Sequence, residues 1–273
     1  MSTVRSSVRS EQPPGDRGPT GVRAFLLNKW TLRVGGLFVV LAVWQFAFAR
    51  VNPIFSAPPT AVASSIPEIF EDPEYFPAMW GTIRLFFTGY AIAAVIGLFL
   101  GLAIARFRWL DIALTPYLNA LYASPLPALV PIITAILGYR TATKIVIVVL
   151  LAVFPILINA HQGARSVDGT MIEVARSFRV SEPRMWIDVI VPGSAPYLVV
   201  GLRLGAARGM IGTAVAELYT SPEGLGYLIL KYGFRFNMDA MLVVVLTFTV
   251  ISIVLGLTIG LLERRVQRWT VKT

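Results

Sequence analysis

Cysteine is absent from the 273-residue chain, and histidine occurs once. The chain therefore has no disulfide bond, no thiolate-bound zinc and no cluster of histidine ligands. Charged residues are also scarce, at 14% of the chain, whereas soluble domains carry about 25%. Together with 56% hydrophobic residues, this composition indicates a polytopic membrane protein.

The sequence also lacks the short motifs of common catalytic and phosphate-binding sites. It contains no Walker A phosphate loop, no H-E-x-x-H and no G-x-S-x-G. We therefore predict that the chain is not an enzyme and binds neither a cofactor nor a metal ion. The net charge is +9, but the basic residues lie at the ends of apolar runs. That distribution is typical of membrane proteins and argues against nucleic acid as a partner.

Apolar segments long enough to cross a membrane recur along the chain. The six predicted spans lie at about 34–49, 85–105, 113–138, 144–160, 195–216 and 240–262. Residues 1–23 are rich in Arg, Ser, Pro and Gly and are predicted to form a disordered, basic cytoplasmic tail. The transmembrane domain is predicted to occupy residues 24–273.

Two of these spans carry residues that bear on packing. Gly97 and Gly101 are separated by one helical turn, a spacing that permits close contact between helices; glycine is also simply common in membrane helices. The third span contains Pro116, Pro125, Pro127 and Pro131. It is therefore predicted to be bent or broken, either to line a pathway or to pack as a kinked helix.

The distribution of Lys and Arg predicts the orientation in the membrane. Basic residues are concentrated before the first span, around Arg106 and Arg108, in the segment between the fourth and fifth spans, and after the last span. Because cytoplasmic loops are enriched in Lys and Arg, both termini are predicted to be cytoplasmic. The loop 161–194 is then cytoplasmic as well.

This loop contains the longest polar stretch between spans, Glu173 to Pro192, which reads EVARSFRVSEPRMWIDVIVP. A short helix with mixed charges and apolar anchors can insert into a groove on a partner protein. The predicted anchors are Val174, Phe178, Met185 and Trp186. The alternative is a connector that lies on the membrane surface with Trp186 at the interface.

The stretch resembles the EAA loop of ABC-importer permeases. Glu173-Val174-Ala175 occupies the place of the Glu-Ala-Ala triplet, and Val189-Ile190-Val191-Pro192 that of the Ile-x-Leu-Pro end. Further matches extend the resemblance over roughly residues 50–270: Ser56-Ala57-Pro58, Gly201-Leu202-Arg203, Ala216-Glu217 and Leu225-Gly226. The permeases of nitrate, sulfonate, taurine and aromatic-carboxylate importers are the most similar.

The resemblance implies an all-α type I importer fold (MetI-like) with six transmembrane helices in a bacterial inner or plasma membrane. It also implies a translocation pathway for a small, anionic solute, formed with a second permease copy as a homodimer. The implied partners are a cytoplasmic ATP-binding subunit, which hydrolyses ATP, an extracytoplasmic solute-binding protein, and membrane lipid. A stand-alone secondary transporter or channel is the alternative, although the spans show no obvious inverted repeat.

The resemblance also identifies the residues that couple to the ATP-binding subunit: Glu173, Val174, Ala175, Arg176, Phe178, Arg179 and Pro192. Arg179 occupies the position of the motif's glycine. Glycine commonly serves a turn with positive φ, where another residue costs on the order of 1 kcal/mol. Either the turn has another geometry here, or the loop is adapted to its partner through an arginine contact; a solvated arginine is the third possibility.

Charged residues in the fifth span are candidates for the pathway or its gate, because intramembrane charges are usually functional. Arg203 and Arg208 face about 140° apart on a helix, so at most one points straight into a central cavity. Glu217, at the outer end of the span, is predicted to pair with an arginine, to shape the outer gate, or to be solvated. His161 is predicted to be structural.

Overall fold

The computed structural model describes residues 29–48, 52, 55–220 and 222–270, with side chains up to residue 261. The predicted tail, 1–23, lies outside the described residues. Every regular element in the described residues is a helix. The elements are α1 (Lys29–Phe48), α2 (Pro59–Glu71), α3 (Tyr75–Arg106), α4 (Arg108–Ala123), a 3-10 turn (Leu126–Leu129), α5 (Val130–Leu137), α6 (Thr141–Arg165), α7 (Gly169–Ser177), α8 (Glu182–Met185), a π-helical turn (Trp186–Ile190), α9 (Val191–Thr220), α10 (Leu225–Phe234) and α11 (Met238–Thr270).

Five helical segments among the described residues are long and apolar enough to cross a membrane, and a bent pair provides the sixth span. The single segments are α1, α3, α6, the run Glu182–Thr220 that ends in α9, and α11. The pair is α4 and the following 3-10 turn with α5, which meet at 86°. Pro125 lies in the break and Pro127 in the 3-10 turn, and neither can donate a backbone hydrogen bond. The predicted bend in the third span is confirmed.

Several helices extend beyond the predicted spans. The helix α3 begins at Tyr75, whereas the second span was predicted to begin at about residue 85. The predicted loop 161–194 is helical at both ends, since α6 continues to Arg165 and α9 begins at Val191. Hydropathy marks the part of a helix that lies in hydrocarbon, while backbone hydrogen bonds continue the helix into the polar interface.

The core consists of α3, α6 and α9, which pack through glycines. A methyl group added at Gly97 would lie 2.9 Å from Cβ of Ile156, and one added at Gly101 would lie 2.5 Å from the carbonyl oxygen of Leu157. Distances this short leave no room for a side chain, so α3 and α6 approach each other backbone to backbone. The close contact predicted for Gly97 and Gly101 is confirmed.

The predicted outer end of the molecule is held together by polar contacts. The Tyr232 hydroxyl of α10 donates to Asp72 at 2.6 Å, and this hydrogen bond lowers the pKa of the Asp72 carboxyl. The Lys231 ammonium pairs with Glu74 at 2.6 Å, and the hydroxyls of Tyr75 and Thr247 lie 2.7 Å apart. These contacts connect α10 and α11 to the segment between α2 and α3.

Candidate functional site

The segment between α6 and α9 folds back onto the ends of the spans. Asp168 caps α7 by accepting a hydrogen bond from the Thr170 amide at 2.9 Å, and this bond lowers the pKa of Asp168. On the inward side of α7, Ala175 is buried with Met185, Ile190 and Ala164. This small core fixes the orientation of α7 and therefore the direction in which its exposed side chains point.

The side of α7 next to Ala175 carries an exposed apolar stripe. Met171 is 55% exposed, Val174 51% and Phe178 80%. They are spaced i, i+3 and i+7, so they lie on one side of the helix. We call Met171, Val174 and Phe178 the apolar stripe. Large apolar side chains that a short polar helix leaves exposed are typical of a surface that another protein covers.

Two of the four predicted anchors do not belong to this stripe. Met185 is only 4% exposed, and Trp186 is partly buried against the same inner core. The prediction that Met185 is an exposed anchor is therefore wrong, because α8 turns this side of the loop toward the membrane helices. Met171 was missed, although its spacing of three residues from Val174 could have found it.

Arg179 has the backbone conformation expected of glycine. Its φ is 51°. Its amide donates to the Arg176 carbonyl at 2.9 Å, and the Val180 amide donates to the Ala175 carbonyl at 3.2 Å. These two bonds form a Schellman motif, in which the left-handed residue is usually glycine. The proposal of another turn geometry is therefore wrong.

Replacing Arg179 by glycine is expected to stabilise the chain by about 1 kcal/mol, because glycine adopts positive φ without a Cβ clash. The unfolding temperature of the purified chain measures this gain. Arg184→Gly is the control: it removes the same side chain from the same loop but lies within the helix α8, so it should not stabilise the chain. A lower unfolding temperature for Arg179→Gly would show that the arginine side chain contributes more than its backbone strain costs.

The other predicted coupling residues lie around the stripe. Glu173 is exposed on α7, and Arg176 lines a cavity between α7 and the ends of α3 and α6. Pro192 is in the first turn of α9 and cannot donate to the Asp188 carbonyl. A widened π turn, Trp186–Ile190, immediately precedes it. Of the seven predicted residues, Val174 and Phe178 therefore present apolar surface, while Ala175 packs inward.

Glu217 is 1% exposed, so the prediction of a solvated end is wrong. The Thr82 hydroxyl of α3 lies 2.8 and 2.9 Å from its two carboxylate oxygens, and the Gly226 amide donates to it at 2.9 Å. Thr82 in turn accepts from the Leu225 amide at 2.9 Å. Glu217 thereby joins α9, α3 and the start of α10.

The turn before α10 is shaped around this carboxylate. Gly224 has a φ of 99°, and a methyl group added at Gly226 would lie 2.6 Å from Cβ of Glu217. Only glycine fits both positions, since the first needs a conformation that L-residues rarely adopt and the second allows no side chain. The motif match Leu225-Gly226 therefore marks the docking of this turn on Glu217.

Arg203 and Arg208 are both exposed on α9. The buried residues of α9 include Gly205, Ala206 and Gly209, which face α6 and α3. Arg208 lies near the middle of the helix, beside the exposed apolar residues Leu204 and Ile211. His161, predicted to be structural, places Nε2 2.9 Å from Oδ1 of Asp111, near the C-terminal end of α6.

Solved structures of transporters share this fold. An inward-facing structure of the MetNI methionine ABC transporter aligns with a TM-score of 0.62 and 18% identity, covering 72% of this chain and 99% of that chain. An amino acid ABC transporter aligns with a TM-score of 0.61 and 15% identity, over 73% of this chain and 97% of that chain. The predicted type I importer fold with six spans is confirmed.

Curated relatives match over most of their length. The putative aliphatic sulfonates transport permease SsuC of Escherichia coli is 29% identical over 89% of this chain and 94% of the relative, and SsuC of Bacillus subtilis is 27% identical over 85% and 84%. The taurine transport permease TauC of E. coli is 26% identical over 89% and 91%. The family described as "Binding-protein-dependent transport system inner membrane component" matches residues 93–268, and the chain therefore belongs to this family of ABC-transporter permeases.

Proposed function

We propose that two copies of this chain form the translocation pathway of an ATP-driven importer for a small organic anion of the sulfonate class. In this proposal α7 docks on a cytoplasmic ATP-binding subunit, and an extracytoplasmic binding protein delivers the solute. The observation that carries the proposal is the apolar stripe, Met171, Val174 and Phe178, exposed on a helix outside the membrane spans.

The position of α7 suits it to transmit movement. It lies between α6 and α9, which are two of the three core helices. Its inner side is packed against the ends of the spans through Ala175 and Met185. A rigid-body shift of the partner would therefore displace α7 together with the residues packed against it. The core helices attached to this segment would move as well. The predicted orientation, with both termini cytoplasmic, places α7 on the side where ATP is available.

Arg208 supports both the second copy and the anionic solute. An arginine at the centre of a membrane helix costs about 2.5–3.5 kcal/mol when it faces lipid. Within the described residues, no hydrogen bond or ion pair satisfies the Arg208 guanidinium, which is exposed on one face of α9. This face is therefore proposed to lie against the second copy at the pathway, where a guanidinium can attract an anion.

Replacing Arg208 by glutamine is expected to reduce uptake of an aliphatic sulfonate about tenfold, since a hydrogen bond to a charged group contributes about 1.5–3 kcal/mol. Uptake is measured in vesicles with equal amounts of assembled transporter. Arg208→Lys keeps the charge and should retain most of the uptake. Equal uptake by Arg208→Gln and the unmodified chain would contradict a role in the pathway.

The solute class rests on the relatives, two of which are named for aliphatic sulfonates and one for taurine. Sulfonates are permanent anions at neutral pH, which agrees with an arginine at the pathway. The binding protein, as a separate chain, is proposed to choose among them.

Reconstitution tests the proposal against a stand-alone secondary transporter or channel. Vesicles with the permease, the ATP-binding subunit encoded with it and the binding protein should accumulate a radiolabelled alkanesulfonate only when ATP is present. Omission of either partner should abolish accumulation. Accumulation by the permease alone, driven by an ion gradient, would overturn the proposal.

A further inference from the structure

A polar cavity of about 570 Å³ lies where the ends of α3 and α6 meet the segment that carries α7. Its charged lining comes from four arginines and two acids: Arg106, Arg108, Arg165, Arg176, Asp111 and Glu182. It lies at the end of the spans on the side predicted to be cytoplasmic. The coupling function proposed above uses the apolar stripe, whose three residues do not line this cavity, so the cavity is a separate feature.

The charges in this cavity do not balance. Arg106 pairs with Glu182 at 3.0 Å, and Arg165 pairs with Asp111. In the part of the chain that the structure describes, the guanidinium groups of Arg108 and Arg176 have no hydrogen bond and no ion pair. Two positive charges from different helices, α4 and α7, therefore line one cavity whose two acids are already paired with other arginines.

The surroundings of the cavity favour a ligand with an apolar part. The lining includes the apolar side chains of Ile112 and Trp186. Ile112 is 68% exposed, and the neighbouring Trp109 is 67% exposed. Tryptophan is enriched where membrane helices meet the headgroup region. A phospholipid has both features that this site would bind: a charged phosphate for the unpaired arginines and apolar acyl chains for the exposed Trp and Ile.

We propose that this cavity binds the phosphate of an anionic phospholipid, with Arg108 and Arg176 as its ligands. Guanidinium groups bind phosphate oxygens in pairs, with charge-assisted hydrogen bonds. Basic pockets between membrane helices at the cytoplasmic side suit anionic headgroups. The acyl chains then cover Trp109 and Ile112. Because Arg108 belongs to α4 and Arg176 to α7, one bound lipid connects the bent span to the coupling helix.

Titration of the purified full-length chain in detergent tests the site. Short-chain phosphatidylglycerol, phosphatidylcholine and inorganic phosphate are added separately, and binding is followed by tryptophan fluorescence, since Trp186 lines the cavity. Phosphatidylglycerol should bind with the highest affinity. Arg108→Gln and Arg176→Gln should each weaken its binding about fivefold, the effect of one basic residue near an anionic membrane surface. Phosphate alone should not produce the fluorescence change.

Arg184→Gln is the matched control, because Arg184 is exposed in the same loop but does not line the cavity. It should leave phosphatidylglycerol binding unchanged. A variant with lysine at both Arg108 and Arg176 should retain most of the binding, which separates loss of charge from misfolding.

Equal binding of phosphatidylcholine, or unchanged affinity of both glutamine variants, would overturn the proposal. Binding of phosphate with the same dependence on the two arginines would replace the lipid by a free anion and would also overturn it.

Discussion

Replacing Phe178 by aspartate is expected to prevent co-purification of the ATP-binding subunit with this permease. Phe178 is 80% exposed at the end of the apolar stripe, where a groove on the partner would have to enclose it. Truncation of a buried aromatic side chain at an interface commonly costs 2 kcal/mol or more, which is about 30-fold in affinity. An aspartate adds the cost of burying an unpaired charge.

The chain offers a matched control for this experiment. Phe234, at the end of α10, is 81% exposed, but it is predicted to lie on the outer side of the membrane. Phe234→Asp should leave co-purification of the ATP-binding subunit unchanged. Val174→Asp should act like Phe178→Asp, since both belong to the stripe. If Phe178→Asp and Val174→Asp both assembled normally, α7 would not be the docking element, and the proposed coupling role of this loop would be lost.

Replacing Glu217 by leucine is expected to lower the stability of the folded chain by about 2–4 kcal/mol. The carboxylate accepts hydrogen bonds from the Thr82 hydroxyl and the Gly226 amide, and each buried donor left without an acceptor costs about 1–3 kcal/mol. Thr82 has a second acceptor, the Ala78 carbonyl at 3.1 Å. Most of the lost stability is therefore expected to come from the Gly226 amide, which would be left without an acceptor.

Thermal unfolding of the purified chain measures the effect of Glu217→Leu, with an expected decrease of about 5–10 °C in Tm. Glu217→Gln keeps an acceptor oxygen of the same reach and should lose less. Glu68→Leu is the control, because Glu68 is exposed on α2 and its replacement should change Tm little. An unchanged Tm for Glu217→Leu would show that the turn before α10 is held without the carboxylate, and the anchoring role would have to be abandoned.

Some site residues were predictable from the sequence because their signal is local. The polar stretch stands out between apolar spans, and its spacing resembles the EAA loop, which is enough to point to Val174 and Phe178. The motif likewise marked Arg179 as the position of a glycine turn but left its geometry open, and the φ of 51° shows that the turn keeps the conformation typical of glycine. The geometry of such a turn depends on residues that are close together in the sequence, so a short sequence pattern can indicate it.

Other residues were misjudged because their environment is set by distant parts of the chain. Met185 and Phe178 are both large apolar residues in one polar loop, yet Met185 is 4% exposed and Phe178 80%. For Glu217 the sequence left an arginine partner, a role in the outer gate and a solvated end open, and the hydrogen bond comes from Thr82, 135 positions away. Partners this far apart in sequence leave no local pattern.

The sequence by itself determined the membrane class, the six spans, the bend in the third and the family resemblance, because hydropathy, proline and motif spacing are properties of short segments. Only the tertiary structure decided which face of α7 is free, that Glu217 is enclosed, and that Arg108 and Arg176 share one cavity. Those facts depend on how helices pack against one another. Exposure and charge balance are properties of the assembled bundle, which no single segment encodes.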